Sequence, residues 1–346
     1  MSLSSIWNTV YPIIVAILFF ELIIIIHEGG HFVAAKLMKV RVNEFSIGMG
    51  PKMFQIKGKK TTFSVRWLLF GGYCAMEGEN EDSDEEGSFS KKSVPARMFV
   101  IVAGAIMNLV LCFVILFSLI CAQDTVGTTT VAQFDEGAVS SSYGLEVGDV
   151  IKSIDGLRTY TSTDVQTGLS RSADGNVEMV VERDGETITL NVQFDTEDYD
   201  GTEYVVMDFW LLGIEKTPLN VIKNACQVFV SYARMVFLSL HDLLTGTYGL
   251  SDISGPVGAV SVVSSAVSSN ATSALKIMAL LTINVGLFNL FPIPALDGWR
   301  FFVLLGEGIF KKKLPKKWEY TINAVGLLLL MALMVVVTFS DITKLF

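Results

Sequence analysis

The chain is poor in the residue types on which most site chemistry depends. Its 346 residues include three histidines, four cysteines and eight prolines, and only 18% are charged. Cys74, Cys112, Cys121 and Cys226 form no CxxC pair, which excludes a disulfide scaffold and a cysteine zinc finger. A net charge of -9 excludes a nucleic-acid binder, which needs a basic face, and an apolar content of 51% excludes a disordered chain. Apolar residues are what the chain has in excess, with a mean hydropathy of +0.50. Its long apolar runs, 11–26, 98–122, 274–293 and 324–339, approach or exceed the roughly 20 residues that cross ~30 Å of hydrocarbon. This is the composition of an integral membrane protein. The first run continues past His27 to Met38 with no small-residue cleavage site, so it reads as retained and not as a signal peptide.

Positive charge is unevenly placed. Lys36, Lys39, Arg41, Lys52, Lys57, Lys59, Lys60, Arg66, Lys91, Lys92 and Arg97 lie between the first two runs, and Lys311, Lys312, Lys313, Lys316 and Lys317 between the last two. By the positive-inside rule both loops face the cytoplasm. Residues 123–215 hold only Lys152, Arg158, Arg171 and Arg183 as basic residues, as expected of a translocated domain. Four transmembrane helices with both termini outside satisfy every loop. The segment 219–240 is apolar enough to pass for a fifth span, but crossing there would put Asp297 on the opposite face from His31. It reads as an amphipathic helix in the outer interface, with Lys223 and Arg234 snorkelling.

Two of the three histidines fall in His27-Glu28-Gly29-Gly30-His31, inside the first apolar helix. Positions i and i+4 of a helix differ by about 40° around its axis, so both imidazoles can share one metal ion. Glu28 between them is placed to take a proton from an attacking water. An Asp, Lys or Arg at mid-span costs roughly 2.5–3.5 kcal/mol on insertion scales, so His27, Glu28 and His31 crowded into five positions demand a functional reason. Two glycines weaken the helix by ~1 kcal/mol each relative to alanine, which suggests close approach to the backbone. A catalytic zinc needs a third protein ligand, and Asp297 fits, at the end of the third run in Asn289-Leu290-Phe291-Pro292-Ile293-Pro294-Ala295-Leu296-Asp297-Gly298. Pro292 and Pro294 break the helix there, and irregular backbone at membrane depth is tolerated only where it is buried or lines a wet cavity. Asn289 can donate to a substrate backbone or a developing oxyanion, or else bond between helices.

Between the first two runs, 44–47, 52–56, 61–66 and 73–76 read as strands interrupted by Gly48, Gly50, Pro51, Gly58, Gly71 and Gly72. Their edges can accept an extended chain, the alternative being a plain cytoplasmic hairpin. Residues 77–86 hold seven acids in ten and read as a solvated linker. In 123–214, strand-like runs at 131–134, 150–154, 177–182 and 187–194 alternate with glycine turns. Gly144-Leu145-Glu146-Val147-Gly148-Asp149-Val150-Ile151 and Ile154-Asp155-Gly156 resemble the signature of a single PDZ domain, serving as a substrate filter or as a cap. Glu21, about two turns before Glu28, lines a water path or pairs with Asn284 or Asn323. His241 reads as a surface residue.

HEGGH, Phe70-Gly71-Gly72-Tyr73, 89–108 leading into the second run, the PDZ-like stretch, Gly255-Pro256-Val257-Gly258 and NLFPIPALDG occur in the order and spacing of a known family. The chain resembles the site-2 proteases, intramembrane zinc metalloproteases, in their bacterial RseP-like branch. Gly29 and Trp299 depart from that pattern without removing a ligand. The resemblance implies Zn2+ on His27, His31 and Asp297, with Glu28 as general base. It further implies substrate contacts from Asn289, Pro292, Pro294, Gly71 and Gly72. Implied partners are single-span membrane proteins of the anti-sigma-factor or remnant-signal-peptide type, membrane lipid, and an upstream site-1 protease making the first extracytoplasmic cut. The expected setting is the bacterial plasma membrane, with the active site toward the cytoplasm.

The expected fold is therefore a polytopic α-helical membrane protein of four spans with a membrane-associated β-hairpin or sheet and one extracytoplasmic PDZ-like domain. Its segments are 1–41 with HEGGH, a β region and acidic linker 42–96, a second helix 97–122, and the PDZ-like domain 123–214. An interfacial segment and loop 215–273, a third span 274–305, a basic loop 306–318 and a fourth span 319–346 complete it. Two other classes are weaker: a non-enzymatic PDZ scaffold, which has no use for a glutamate between the two histidines of a structural metal site, and a metal-ion transporter, for which no inverted repeat is visible.

Overall fold

The computed structural model describes residues 3–79, 83–172, 174–199, 202–247, 249 and 253–344. In chain order its elements are α1 (Leu3–Leu37), β1 (Val42–Lys57), β2 (Thr62–Met76), α2 (Val94–Ala122), β3 (Val126–Phe134), β4 (Val150–Ile154), β5 (Leu157–Arg158), α3 (Ser162–Ser170), β6 (Asn176–Arg183), β7 (Glu186–Gln193), β8 (Thr196–Tyr199), β9 (Thr202–Val205), β10 (Phe209–Ile214), α4 (Pro218–Thr245), α5 (Pro256–Ser269), α6 (Ala271–Phe288), α7 (Asp297–Phe310) and α8 (Lys316–Thr343). They divide into two units, Met1–Ile115 with Leu240–Phe346, and Leu116–Ser239. Among the described residues five helices are long and apolar enough to cross a membrane, within α1, α2, α4, α6 and α8. By length and composition α4 thus joins the four spans expected from the sequence.

In the first unit, Gly30 explains one of the two glycines of HEGGH. A Cβ there would stand 2.3 Å from the carbonyl oxygen of Ala103 on α2, so only glycine lets the two helices meet. Gly29 meets nothing within 4 Å, and close approach is not its reason. Ala34, Ala35, Val40, Val42, Cys74, Val100 and Leu304 form one buried cluster that ties α1, the hairpin, α2 and α7 together.

Strands β1 and β2 pair antiparallel but bend, so that Phe45, Ser46 and Ile47 lie opposite Phe63, Ser64 and Val65 as well as Cys74, Tyr73 and Gly72. The four short runs of the sequence are thereby laid side by side. Gly48 (φ +78°), Gly50 (φ +84°) and Gly71 (φ +103°) occupy the left-handed conformations at the bends, where a side chain would be strained. The acidic stretch is more than a solvated linker. Arg41 pairs with Glu85 at 2.9 Å, Asn43 donates to Glu77 at 2.8 Å, and Arg300 pairs with Glu79; residues 80–82 of that stretch lie outside the described residues.

The segment expected as interfacial loop up to residue 273 contains a helix, α5, packed along α1. The GPVG motif is its N-terminus: the backbone N–H groups of Gly255 and Gly258 donate to the buried carboxylate of Asp341 on α8, at 3.2 and 2.8 Å. A helix start offers orphan N–H groups and a positive dipole end, and a carboxylate satisfies both. Within 215–273 no apolar period is long enough to separate α5 from its serine-rich surroundings.

The second unit is a sheet in the order β10-β3-β4-β6-β7, antiparallel at each pairing, with β5 against β4. The runs expected at 131–134, 150–154, 177–182 and 187–194 fall on β3, β4, β6 and β7, while α3 and β10 were not anticipated. Val165 and Leu169 of α3 cover a core of Ile151, Ile154, Val177, Met179, Val181, Val192 and Phe194. Thr161 starts α3 through a capping box with Asp164, which anchors the helix end. Asp149, fully buried, receives a two-pronged contact from Arg183 at 2.7 and 2.8 Å.

Within this unit Arg234 of α4 pairs with Asp164 and lies over the Tyr160 ring at 5.8 Å. Ser231 bonds Thr161 at 3.2 Å, and Asn224 Nδ2 donates to the Gly127 carbonyl at 3.4 Å. Snorkelling of Arg234 is therefore corrected, since a neighbouring carboxylate outcompetes water for its guanidinium. Lys223 is exposed.

Candidate metal centre

His27 and His31 stand one turn apart on α1, their ring centroids 4.9 Å apart and nearly perpendicular. The third component comes from the break between α6 and α7. Pro292 lacks a donor and Pro294 restricts Ile293, so α6 stops at Phe288. The chain then turns tightly: Gly298 donates its N–H to the Asn289 carbonyl at 2.7 Å, and a Cβ on Gly298 would stand 2.2 Å from the Phe291 carbonyl oxygen. Ala295 holds a left-handed φ of +77°, its N–H donated to Asn323 Oδ1 of α8 at 3.2 Å. Asp297 emerges in the first turn of α7.

Asp297 Oδ2 lies 2.9 Å from His27 Nε2 and 3.2 Å from His31 Nε2, and the two nitrogens are 3.3 Å apart. A tetrahedral zinc with ligand bonds near 2.05 Å separates its ligands by about 3.3 Å, so this triangle fits the ion. Both histidines are buried, at 9% and 7% exposure. Three protein ligands, all imidazole or carboxylate, leave a fourth position open, the arrangement of catalytic and not structural zinc. No other cluster of three such groups occurs among the described residues.

Helix α2 orients these ligands. His31 Nδ1 donates to the Val100 carbonyl at 2.9 Å, which fixes the tautomer with Nε2 free to bind metal. Asn108 on the same helix places its amide Nδ2 3.4 Å from His27 Nδ1, and among the described residues its Oδ1 has no hydrogen-bond partner. Turned about its amide axis, that oxygen accepts the His27 Nδ1–H and both groups are satisfied. Gly104 makes the room: a Cβ there would stand 2.4 Å from His31 Nε2 and 2.8 Å from His27 Nε2. Neither Gly104 nor Asn108 was singled out from the sequence, although a lone asparagine in a strongly apolar run is the kind of signal that finds such a residue.

A cavity of about 380 Å³ opens at the site, lined by the three candidate ligands, Glu28 and the strand run 73–76, with Glu79, Ile101 and Arg300. Strand β2 lies directly on α1, where a Cβ on Gly72 would meet Glu28 Cγ at 3.6 Å and Ile24 at 3.5 Å. Tyr73 at the cavity wall is held by Arg66, which also bonds Glu44 and Ser46.

The remaining residues marked from the sequence sit elsewhere. Asn289 turns its Nδ2 back onto the Val285 carbonyl at 2.9 Å, a second donor on an oxygen that also accepts the Asn289 backbone N–H at 3.1 Å. Pro294 packs where a Cβ on Gly326 of α8 would be 2.4 Å from it. Asn289, Pro292, Pro294 and Gly71 do not line the cavity. Glu21 is 5% exposed and among the described residues its carboxylate has no side-chain hydrogen-bond partner, so pairing with Asn284 or with Asn323, which serves Ala295, is corrected. His241 is 70% exposed at its side chain, a surface residue.

A family model for peptidase family M50 matches residues 15–333. A candidate zinc metalloprotease of Clostridium perfringens is 37% identical over 332 residues, covering 95% of this chain and 98% of that one. The zinc metalloprotease RasP of Shouchella clausii is 29% identical over 416 aligned positions, 94% of this chain and 97% of that one. The regulator of sigma-W protease RasP of Bacillus subtilis is 26% identical over 419, covering 97% and 99%. A PDZ domain of an SdrC-like protein from Listeria monocytogenes covers 26% of this chain and 90% of that structure at 20% identity and a TM-score of 0.20, too slight a likeness to bear on the fold.

Proposed function

The chain belongs to peptidase family M50 and is a site-2-type intramembrane zinc metalloprotease, and from that premise we propose that it cuts single-span membrane proteins within or beside their transmembrane helix, as the second step after an extracytoplasmic cut. The observation that carries this reading is that His27, Glu28 and His31 lie inside the candidate span Val10–Leu37. A ligand set buried in an apolar helix favours a peptide bond that is itself in the membrane.

His27, His31 and Asp297 would hold the metal, which when bound supplies the Lewis acidity for attack by water at neutral pH. Glu28, one residue along the helix and lining the same cavity, takes the proton of the attacking water and returns it to the leaving nitrogen. Hydrolysis needs an extended peptide. Strand run 73–76, paired along 42–46 and lining the cavity, supports docking of an unwound substrate by strand addition, with Gly72 just before it beside Glu28.

The topology we infer has four spans, α4 staying on the outer side with the β-rich unit. The polar contacts of Asn224, Ser231 and Arg234 with that unit support this, because crossing the bilayer would move these groups from their partners into hydrocarbon. The loop-charge distribution supports a topology with both termini and the PDZ-like domain outside and the active site toward the cytoplasm of a bacterial plasma membrane. In this reading the PDZ-like domain filters substrates. An anti-sigma factor is a natural substrate type given the Bacillus relative's name, with an upstream site-1 protease as partner, lipid as surroundings and no nucleic acid involved. The test is cleavage of a tagged single-span protein by the purified enzyme, with the cut mapped by mass spectrometry. The reading expects a cut inside or at the edge of the apolar segment; cuts confined to its soluble parts would overturn it.

A further inference from the structure

The catalytic cavity continues beyond the metal ligands. Glu79, Ile101 and Arg300, which line it, also line a second cavity of about 170 Å³ whose wall includes Arg97, Glu307, Lys313 and Glu319. The ion pair between Arg300 and Glu79 is therefore a partition between the two. Arg300 is three residues beyond Asp297 on α7, the spacing that puts both side chains on one helix face. Among the described residues it is the one lysine or arginine in the lining of the catalytic cavity. The pair is half-sheltered, at 29% and 18% side-chain exposure.

Peptide hydrolysis changes the charge of this space. Water's oxygen bonds to the carbonyl carbon, the carbon–nitrogen bond breaks, and both protons of the water end on the nitrogen. A neutral amide becomes a carboxylate and an ammonium group. Away from bulk water each needs a partner of opposite sign. We propose that Arg300 receives the carboxylate of the newly cut chain, exchanging Glu79 for it, and thereby draws the product off the metal ligands toward the second cavity. Glu79 is the positioning residue that holds the guanidinium in place until a carboxylate arrives. A planar, always-charged fork suits this exchange better than an ammonium, since it grips two carboxylate oxygens at once. The second cavity, with Arg97 and Lys313 balanced by Glu307 and Glu319, gives the displaced charges a polar way out.

The inference rests on the peptidase reading and is tested separately from it. A labelled apolar peptide with a free C-terminal carboxylate, and the same peptide as its carboxamide, are titrated by fluorescence anisotropy into the zinc-loaded enzyme, with zinc content measured in every variant. Wild type is expected to prefer the carboxylate about tenfold. Arg300→Gln loses that preference, Arg300→Lys keeps about threefold of it, and Glu79→Gln tightens the carboxylate peptide while leaving the carboxamide unchanged. A tenfold preference that survives in Arg300→Gln overturns the proposal, because the metal alone would then read the carboxylate. Equal weakening of both peptides in Arg300→Gln and Glu79→Gln also overturns it, because the pair would then only hold the fold. Should Arg300→Gln fail to fold, the Glu79→Gln arm decides by its sign. Failure of membrane substrates to be cut leaves these binding arms readable, so the two ideas fall separately.

Discussion

Gly104 on α2 faces His31 on α1 so closely that a single added methyl would stand 2.4 Å from Nε2. The site is thus cut into the packing of two helices, with the metal ligands filling space that any other residue at 104 would take. Gly104→Ala is expected to push the imidazoles off the triangle and to weaken zinc binding about 10–100-fold, read as zinc retained per protein against a competing chelator. Retention equal to wild type would show that the rings can shift without cost.

Asn108 acts one layer out. Asn108→Leu keeps the branched shape and removes the partner of His27 Nδ1, so zinc affinity should fall about 10–100-fold while helix content by circular dichroism is unchanged. Asn108→Asp, which can still accept the Nδ1–H, should recover most of the loss. Equal loss in both variants would assign Asn108 to packing alone.

In the β-rich unit, burial by itself would raise the Asp149 carboxyl, but the Arg183 fork and the Glu146 N–H hold it below its ordinary value of 3.8. A carboxyl depressed in the folded state contributes stability above its unfolded value, and that contribution disappears as pH falls through the lowered native value. Hydrogen-exchange protection of β4 and β6 should therefore hold at pH 5 and decline steeply below about pH 4. Asp149→Asn removes the buried carboxylate and leaves Arg183 with Glu146, at 2.6 Å, so it should lower the unit's denaturation midpoint at neutral pH, with a flatter acid limb. An unaltered acid limb in that variant would place the acid sensitivity elsewhere.

The metal triangle was legible because helix periodicity alone aligns His27 with His31, and because Pro292 and Pro294 announce the break that delivers Asp297. The four strand runs of the hairpin and those of the β-rich unit were legible for the same reason: glycines mark the bends. What was hidden depends on contacts distant in sequence. Gly104 and Asn108 are ordinary residues until α2 is laid against α1. Arg300 and Glu79 are separated by 221 positions, and nothing local tells that a charge in an acidic stretch meets one on α7. Arg234 looked like a membrane-surface cation because its partner Asp164 lies 70 residues away. Asn289 misled in the other direction, since an amide beside a helix break can bond its own last turn as readily as a substrate.

The central claim is that Glu28 moves the proton in peptide hydrolysis at a metal held by His27, His31 and Asp297. Its most direct test is Glu28→Gln, which alters the base and none of the three ligands, assayed on a tagged single-span substrate in detergent with bound zinc quantified in both preparations. The variant should keep about one zinc per chain, as one open three-ligand site requires, while cleavage falls by about two to four orders of magnitude. Cleavage near the wild-type rate with zinc still bound would contradict it.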